Sequence, residues 1–230
     1  MKIYADGADL ESIIALAEDP RISGFTTNPT LMRKAGVEDY EGFARKVLET
    51  VTEHPISFEV FADEADEMVR QARLIASWGP NVYVKIPVTN TKGVSSEPVV
   101  RELSADGVHL NVTALMTTAQ VEMVAAASEG GPGHVVSVFA GRIADTGRDP
   151  IPLMAEALAV LAPQPELELL WASPREVLNI RQAEQVGVHI ITVTPDLLAK
   201  MKSFDKDLDQ FSLETVQMFH DDAAAAGFTL

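Results

Sequence analysis

The chain has 230 residues, 47% hydrophobic and 23% charged, a balance that sets aside disorder and fits one large α/β barrel or two small domains. Its 34 acidic residues against 18 basic ones leave a formal charge of −16, which repels nucleic acid and anionic membranes but still permits a local arginine cluster for a small phosphorylated ligand. Cysteine is absent, which removes disulfides, thiolate metal sites and cysteine nucleophiles.

Taken in order, the β-type runs are KIYAD (2–6), GFTTN (24–28), ISFEV (56–60), NVYVKIP (81–87), HLNVT (109–113), HVVSVFA (134–140), ELLWAS (168–173) and HIITV (189–193). Stretches of helical periodicity lie between them, among them EDYEGFARKVLETV, DEADEMVRQARLIASW, TTAQVEMVAAAS and PIPLMAEALAVLA. Strands that alternate with helices pair in parallel, because a parallel pair needs a crossover. Eight such units fit the α/β class as a (β/α)8 TIM barrel, which takes roughly 250 residues; counting alone leaves a doubly wound open sheet as the alternative. The segment 204–228 reads as an extra C-terminal helix, with Phe204, Leu208, Phe211, Val216 and Phe219 as its apolar positions. The expected organisation is one barrel domain over 1–230 with that helical extension, which either closes the barrel or packs on a neighbouring subunit. MKIYADGADL lacks the apolar stretch of a signal peptide and no run approaches membrane-spanning length, so a cytoplasmic protein is expected.

A barrel of this kind keeps its chemistry at the C-terminal strand ends. Asp6, Asn28, Glu59, Lys85, Asn111, Thr113, Ser137, Phe139 and Ser173 stand there, with Arg142 and Arg175 just beyond strands six and seven. A core alone would favour Val, Ile and Leu, so polar residues at nearly every end predict a lined pocket. Lys85 interrupts the run Val82, Val84, Ile86. In the bland reading its stem packs while the amine snorkels or pairs with an acid. In the catalytic reading, burial disfavours the ammonium and the neutral amine attacks a ketone, forming a Schiff base that acts as an electron sink for C–C cleavage. Lys92, in the Gly-containing TNTKG loop, is expected to be solvated. Asp6 and Glu59 can supply the proton transfers; to neutralise Lys85, one of them would suffice. Arg142 and Arg175 suggest a phosphate clamp, with Ser173 as a hydroxyl donor and Pro174 opening the helix after strand seven. His54, His109, His134, His189 and His220 show no ligand spacing, and no GxGxxG or P-loop occurs. An enzyme without metal or cofactor is expected.

The segments YADGADL, GFTTNPTLMRKAG, FEVFAD, VYVKIPVTNTKG, LNVTALMTTAQ, SVFAGRIAD and ASPREV together resemble the transaldolase family, including its small, bacterial, fructose-6-phosphate-aldolase-like branch. They run in family order from residue 4 to about 180. The resemblance implies a (β/α)8 barrel whose fourth strand carries the imine-forming lysine, Lys85. It implies Asp6 as the acid–base for C–C cleavage and Glu59 as a proton relay through water, assisted by Thr113. Asn28 would hold substrate hydroxyls or orient the lysine, Asn111 and Ser137 would bind the dihydroxyacetone portion, and Arg142, Ser173 and Arg175 would clamp phosphate. Glu59 and Phe139 are the transaldolase choices; the fructose-6-phosphate aldolases carry glutamine and tyrosine there. Small members often form decamers of two pentameric rings, so the resemblance implies a homo-oligomer, a decamer or pentamer, with a dimer as the other option. YADGADL departs from the strand-one sequence of many relatives, and Gly7 and Trp171 are expected to reshape the pocket.

The expected function is transaldolase activity, moving a dihydroxyacetone unit from fructose 6-phosphate or sedoheptulose 7-phosphate to an aldose phosphate in carbohydrate metabolism, classically the pentose phosphate pathway. The alternatives are an aldolase that releases free dihydroxyacetone, a transaldolase with an unusual acceptor in a specialised pathway, and a barrel that only binds.

Overall fold

A computed structural model describes residues 1–229. Eight parallel strands close into a barrel in sequence order: β1 Lys2–Asp6, β2 Ile22–Thr26, β3 Ile56–Glu59, β4 Val82–Pro87, β5 Leu110–Leu115, β6 Val135–Val138, β7 Glu168–Trp171 and β8 Ile190–Val193. The helices are α1 Leu10–Ala17, α2 Pro29–Lys34, α3 Tyr40–Thr50, α4 Ala65–Ala76, α5 Glu97–Ala105, α6 Thr118–Ala127, α7 Ala140–Asp145, α8 Ile151–Leu161, α9 Leu178–Val186, α10 Pro195–Lys200 and α11 Leu208–Ala225. This is a TIM barrel, as expected from the alternation. Only β1 matches the sequence reading to the residue, and the clearest shift is in the second strand: β2 starts at Ile22 and ends at Thr26, because Asn28 already caps α2, its Oδ1 accepting from Leu31 N at 3.0 Å.

Period-two alternation decides what each strand shows to the interior. In β4, Val82, Val84 and Ile86 face the helices and are buried, while Tyr83, Lys85 and Pro87 face inward. The same parity stacks the interior in layers. Tyr4, Tyr83, Val135, Leu170 and Ile190 pack the lower core, whereas Asp6, Thr26, Glu59, Lys85, Asn111, Ser137 and Thr192 stand above them. Gly24 permits this filling: a Cβ there would lie 2.6 Å from the Tyr4 ring and 2.9 Å from the Pro55 carbonyl oxygen.

His109, His134 and His189 sit directly before strands β5, β6 and β8, at the end away from the cavity. Each bonds a backbone group of a neighbouring segment: His109 Nδ1 to Gly133 O at 2.9 Å, His134 Nδ1 from Leu110 N at 3.1 Å and His189 Nδ1 from Leu169 N at 2.9 Å. Their role here is to close backbone hydrogen bonds at the barrel floor.

The chain forms two compact units, one from Met1 to Pro195 and one from Asp196 onward. Within the second, Asp207 caps α11 and Lys206 pairs with Glu214, its ammonium 4.5 Å from the Phe211 ring centre. No residue of α11 is buried, and Leu208, Phe211, Leu213, Val216, Met218 and Phe219 are exposed.

Candidate active site

At the C-terminal face of the barrel a cavity of about 410 Å3 is lined by Asp6, Asn28, Glu59, Lys85, Asn111, Thr113, Ser137, Phe139, Arg142 and Ser173. Its volume falls in the range of small-ligand pockets. Ten of the eleven residues singled out in the sequence thus line one cavity. Arg175 does not line it. Its Nε donates to Asp145 at 2.9 Å and its Nη2 bonds the other oxygen of the same carboxylate.

Lys85 projects from β4 with a side chain only 8% exposed. Its Nζ lies 3.1 Å from Glu59 Oε2 and donates to the Thr27 carbonyl at 2.8 Å. The register explains the pairing, since Glu59 stands opposite Lys85, which in turn stands opposite Asn111. Inward-facing register partners on neighbouring strands bring their side chains together. Asp6 accepts from Thr26 Oγ1 at 2.9 Å, and Thr26 Oγ1 also bonds Thr192 Oγ1. Burial pushes the Asp6 carboxyl above the usual range, against the opposing pull of the Lys85 charge and the hydrogen bonds from Thr26 and Asn28.

Asn111 is clamped at both ends: its Nδ2 donates to Ser57 Oγ at 2.9 Å, and its Oδ1 accepts from Ser137 Oγ at 2.7 Å. Thr113 is 3% exposed, and its hydroxyl has no hydrogen-bond partner among the described residues. The rim is conformationally tight. Ala114, at the β5 bulge, and Ser173 both adopt the left-handed region, with φ of 66° and 61°. Gly141 lets the Ser173 backbone approach α7, because a Cβ there would fall 1.5 Å from the Ser173 carbonyl oxygen.

Some expectations change. Pro174 does not open a helix: α9 starts at Leu178, and Asn179 Oδ1 takes the N–H groups of Arg175 and Glu176 at 2.7 and 3.1 Å. The left-handed Ser173 turns the chain before a helix can begin. Gly7 and Trp171 are not among the lining residues; Trp171 is fully buried with the parity opposite to Leu170 and Ala172, which do line the cavity. Lys92 is exposed and pairs with Glu64 at 2.7 Å. The sequence reading missed Thr26 and Thr192, although strand parity points both inward. It also missed Thr27, whose contribution is a backbone carbonyl and leaves no trace in residue type. Among the described residues no group of three or more His, Asp or Glu is placed to hold a metal ion.

The sequence profile of the family described as Transaldolase/Fructose-6-phosphate aldolase matches residues 3–230. The chain belongs to this family. A protein of Dehalococcoides mccartyi named "Probable transaldolase" is 35% identical over 202 residues, covering 87% of this chain and 90% of its own. "Probable transaldolase 2" of Listeria monocytogenes is 34% identical over 215 residues, 92% and 94% of the two chains. Among solved structures, 3-hexulose-6-phosphate synthase from Salmonella typhimurium superposes with a TM-score of 0.57 at 15% identity, over 84% of this chain and 89% of that one. That likeness is one of fold. The transaldolase/fructose-6-phosphate aldolase assignment rests on the whole-length match, and the lysine, aspartate and glutamate of the motifs lie in one cavity.

Proposed function

We propose that this family member is a Schiff-base transaldolase, transferring a dihydroxyacetone unit from a ketose phosphate such as fructose 6-phosphate or sedoheptulose 7-phosphate to an aldose phosphate. The observation that carries the reading is a buried lysine ammonium 3.1 Å from one carboxylate, in a cavity shared with a second, proton-avid one. A carboxylate needed only to neutralise Lys85 would not require a partner.

Glu59 takes a proton from the Lys85 ammonium, and the free amine adds to the ketose carbonyl carbon. The resulting hydroxyl leaves as water with a proton returned by Glu59, which gives a protonated imine. Asp6 then removes the proton of the hydroxyl on the carbon at the far end of the scissile bond, which becomes the aldehyde carbon. The C–C bonding pair moves into the imine, forming an enamine, and an aldehyde departs. Its raised proton affinity fits Asp6 for this base role and for returning the proton when the enamine attacks the acceptor aldehyde. Hydrolysis of the new imine uses a water that Glu59 activates and the unpartnered Thr113 hydroxyl can hold. Asn111 and Ser137, fixed in orientation, meet the three-carbon unit, and Asn28 its hydroxyls. Arg142 and Ser173 face the phosphate. Arg175 reaches it only with the guanidinium edge that Asp145 leaves free. The enzyme works as a homo-oligomer in the cytoplasm on sugar phosphates, without metal or cofactor.

Borohydride trapping with fructose 6-phosphate, read by intact mass and peptide mapping, tests this. A reduced three-carbon adduct on Lys85 is the expected result. No adduct with either ketose phosphate would defeat it. The family description also names an aldolase; steady release of free dihydroxyacetone without an acceptor would decide for that reading.

A further inference from the structure

The β2/β3 seam contains a rung that is replaced. In a parallel ladder every second residue of a strand donates to one residue of a given neighbour and accepts from the residue two further along. Phe25 N donates to the Pro55 carbonyl at 2.8 Å and Thr27 N to the Ser57 carbonyl at 3.2 Å. The next rung would join Glu59 N–H to the Thr27 carbonyl. Instead that carbonyl accepts from Lys85 Nζ at 2.8 Å, while Glu59 N–H donates to the Tyr40 hydroxyl at 2.7 Å. The same hydroxyl donates to the Glu59 carbonyl at 3.1 Å. One phenol therefore satisfies both backbone groups of Glu59 that face the departing β2, and its own donor and acceptor capacities are both used.

Tyr40 is held firmly for this task. It is the first residue of α3, whose cap Asp39 accepts from Gly42 N at 2.9 Å. Its ring meets Phe58, Phe61 and Trp78 edge-on, with centres 6.1, 4.5 and 5.9 Å away. Burial pushes its hydroxyl above the usual tyrosine range, so it stays a protonated donor.

We propose that Tyr40 is a positioning residue for the Glu59–Lys85 pair: by taking over the backbone of Glu59, it frees the Thr27 carbonyl to hold the lysine ammonium. The inference rests on the Schiff-base reading of that pair. Without the hydroxyl, Glu59 N–H has the Thr27 carbonyl as its ladder acceptor. Closing that rung would set a backbone donor against Lys85 Nζ and draw Glu59 toward β2.

The test is Tyr40→Phe, which removes both bonds and keeps the ring. Borohydride trapping by folded protein should slow about 10- to 100-fold, the range that misplacement by ~1 Å can cost. Steady-state kcat should fall in parallel while KM stays within about twofold, since substrate contacts are untouched. Phe61→Leu strips a ring neighbour yet keeps the hydroxyl, and should trap at the native rate. Equal trapping by Tyr40→Phe and the native protein would overturn the inference, as would an equal loss in Phe61→Leu. Tyr40→Met, a flexible apolar filler, reads the same way should Phe fold poorly. If the native protein forms no adduct, the Schiff-base reading fails first. A crystal structure of Tyr40→Phe then decides the geometry alone: Glu59 N–H moved onto the Thr27 carbonyl supports the replaced rung, and an unmoved Glu59 refutes it.

Discussion

Asp6, in the acid–base role proposed for it, trades stability for chemistry. Its folded-state carboxyl binds protons more tightly than it does in the unfolded chain. Below the unfolded value both states are protonated and nothing is lost; above the folded value the fold bears the whole cost of an ionised buried carboxylate. Asp6→Asn should therefore raise the melting temperature at neutral pH, with the gain shrinking in acid, while imine trapping survives and turnover drops at least about 100-fold. Calorimetry at two pH values and a coupled transfer assay check both halves. Arg142→Ala removes the proposed charge-assisted phosphate contact and should raise KM about 10- to 100-fold with a smaller change in kcat. Phe139→Tyr adds a hydroxyl to the cavity that holds Lys85, and on the proposed mechanism should increase dihydroxyacetone release in the absence of acceptor. Asp6 was legible in the sequence because it sits at a strand end where an apolar side chain would be ordinary, Arg142 because a cation follows strand six directly, and Phe139 only through the family resemblance. Thr27 was not, because a carbonyl is common to every residue.

Among elements, the barrel floor and the α7 turn each have a measurable consequence. His134 is buried beneath β6, and desolvation lowers it from the ordinary 6.5 to about 4. Its Nδ1 accepts from Leu110 N and its Nε2 faces Ser104 Oγ at 3.0 Å, so a second ring proton would break the first bond. The stability tied to the neutral ring is complete above pH 6.5 and drains as pH falls toward 4, because only the unfolded chain can take up the proton. The full loss is about 3 kcal/mol. Urea unfolding between pH 7 and 4 should show that decline in the native protein and a flatter profile in His134→Gln. Gly141→Ala should displace the Ser173 turn and weaken sugar-phosphate binding about tenfold or more, measurable by calorimetric titration. The alternation of strand and helix was readable from hydrophobic period. The limits of β2 and the late start of α9 were not, since a side-chain cap ends one and a left-handed serine delays the other.

For the whole molecule, the count of eight strand–helix units pointed to a barrel, and closure of the sheet in the order β1 to β8 removed the open-sheet alternative. The second unit carries an 18-residue helix with no buried residue and a set of exposed apolar side chains, the surface on which the proposed homo-oligomer would draw. Light scattering should give a multiple of the 24.9 kDa chain mass, and deletion from Leu208 onward should yield a smaller species if α11 makes the contacts. The sequence by itself determined the alternation of elements, the polar strand ends and the order of the motifs, because period and residue type are local properties. Only the tertiary structure decided which groups meet. Thr27 and Lys85 are 58 positions apart, Asp145 and Arg175 30, and Tyr40 and Glu59 19. Closure of the barrel sets those distances, and the bonds that result use backbone groups and half-open side-chain forks that residue identity does not encode.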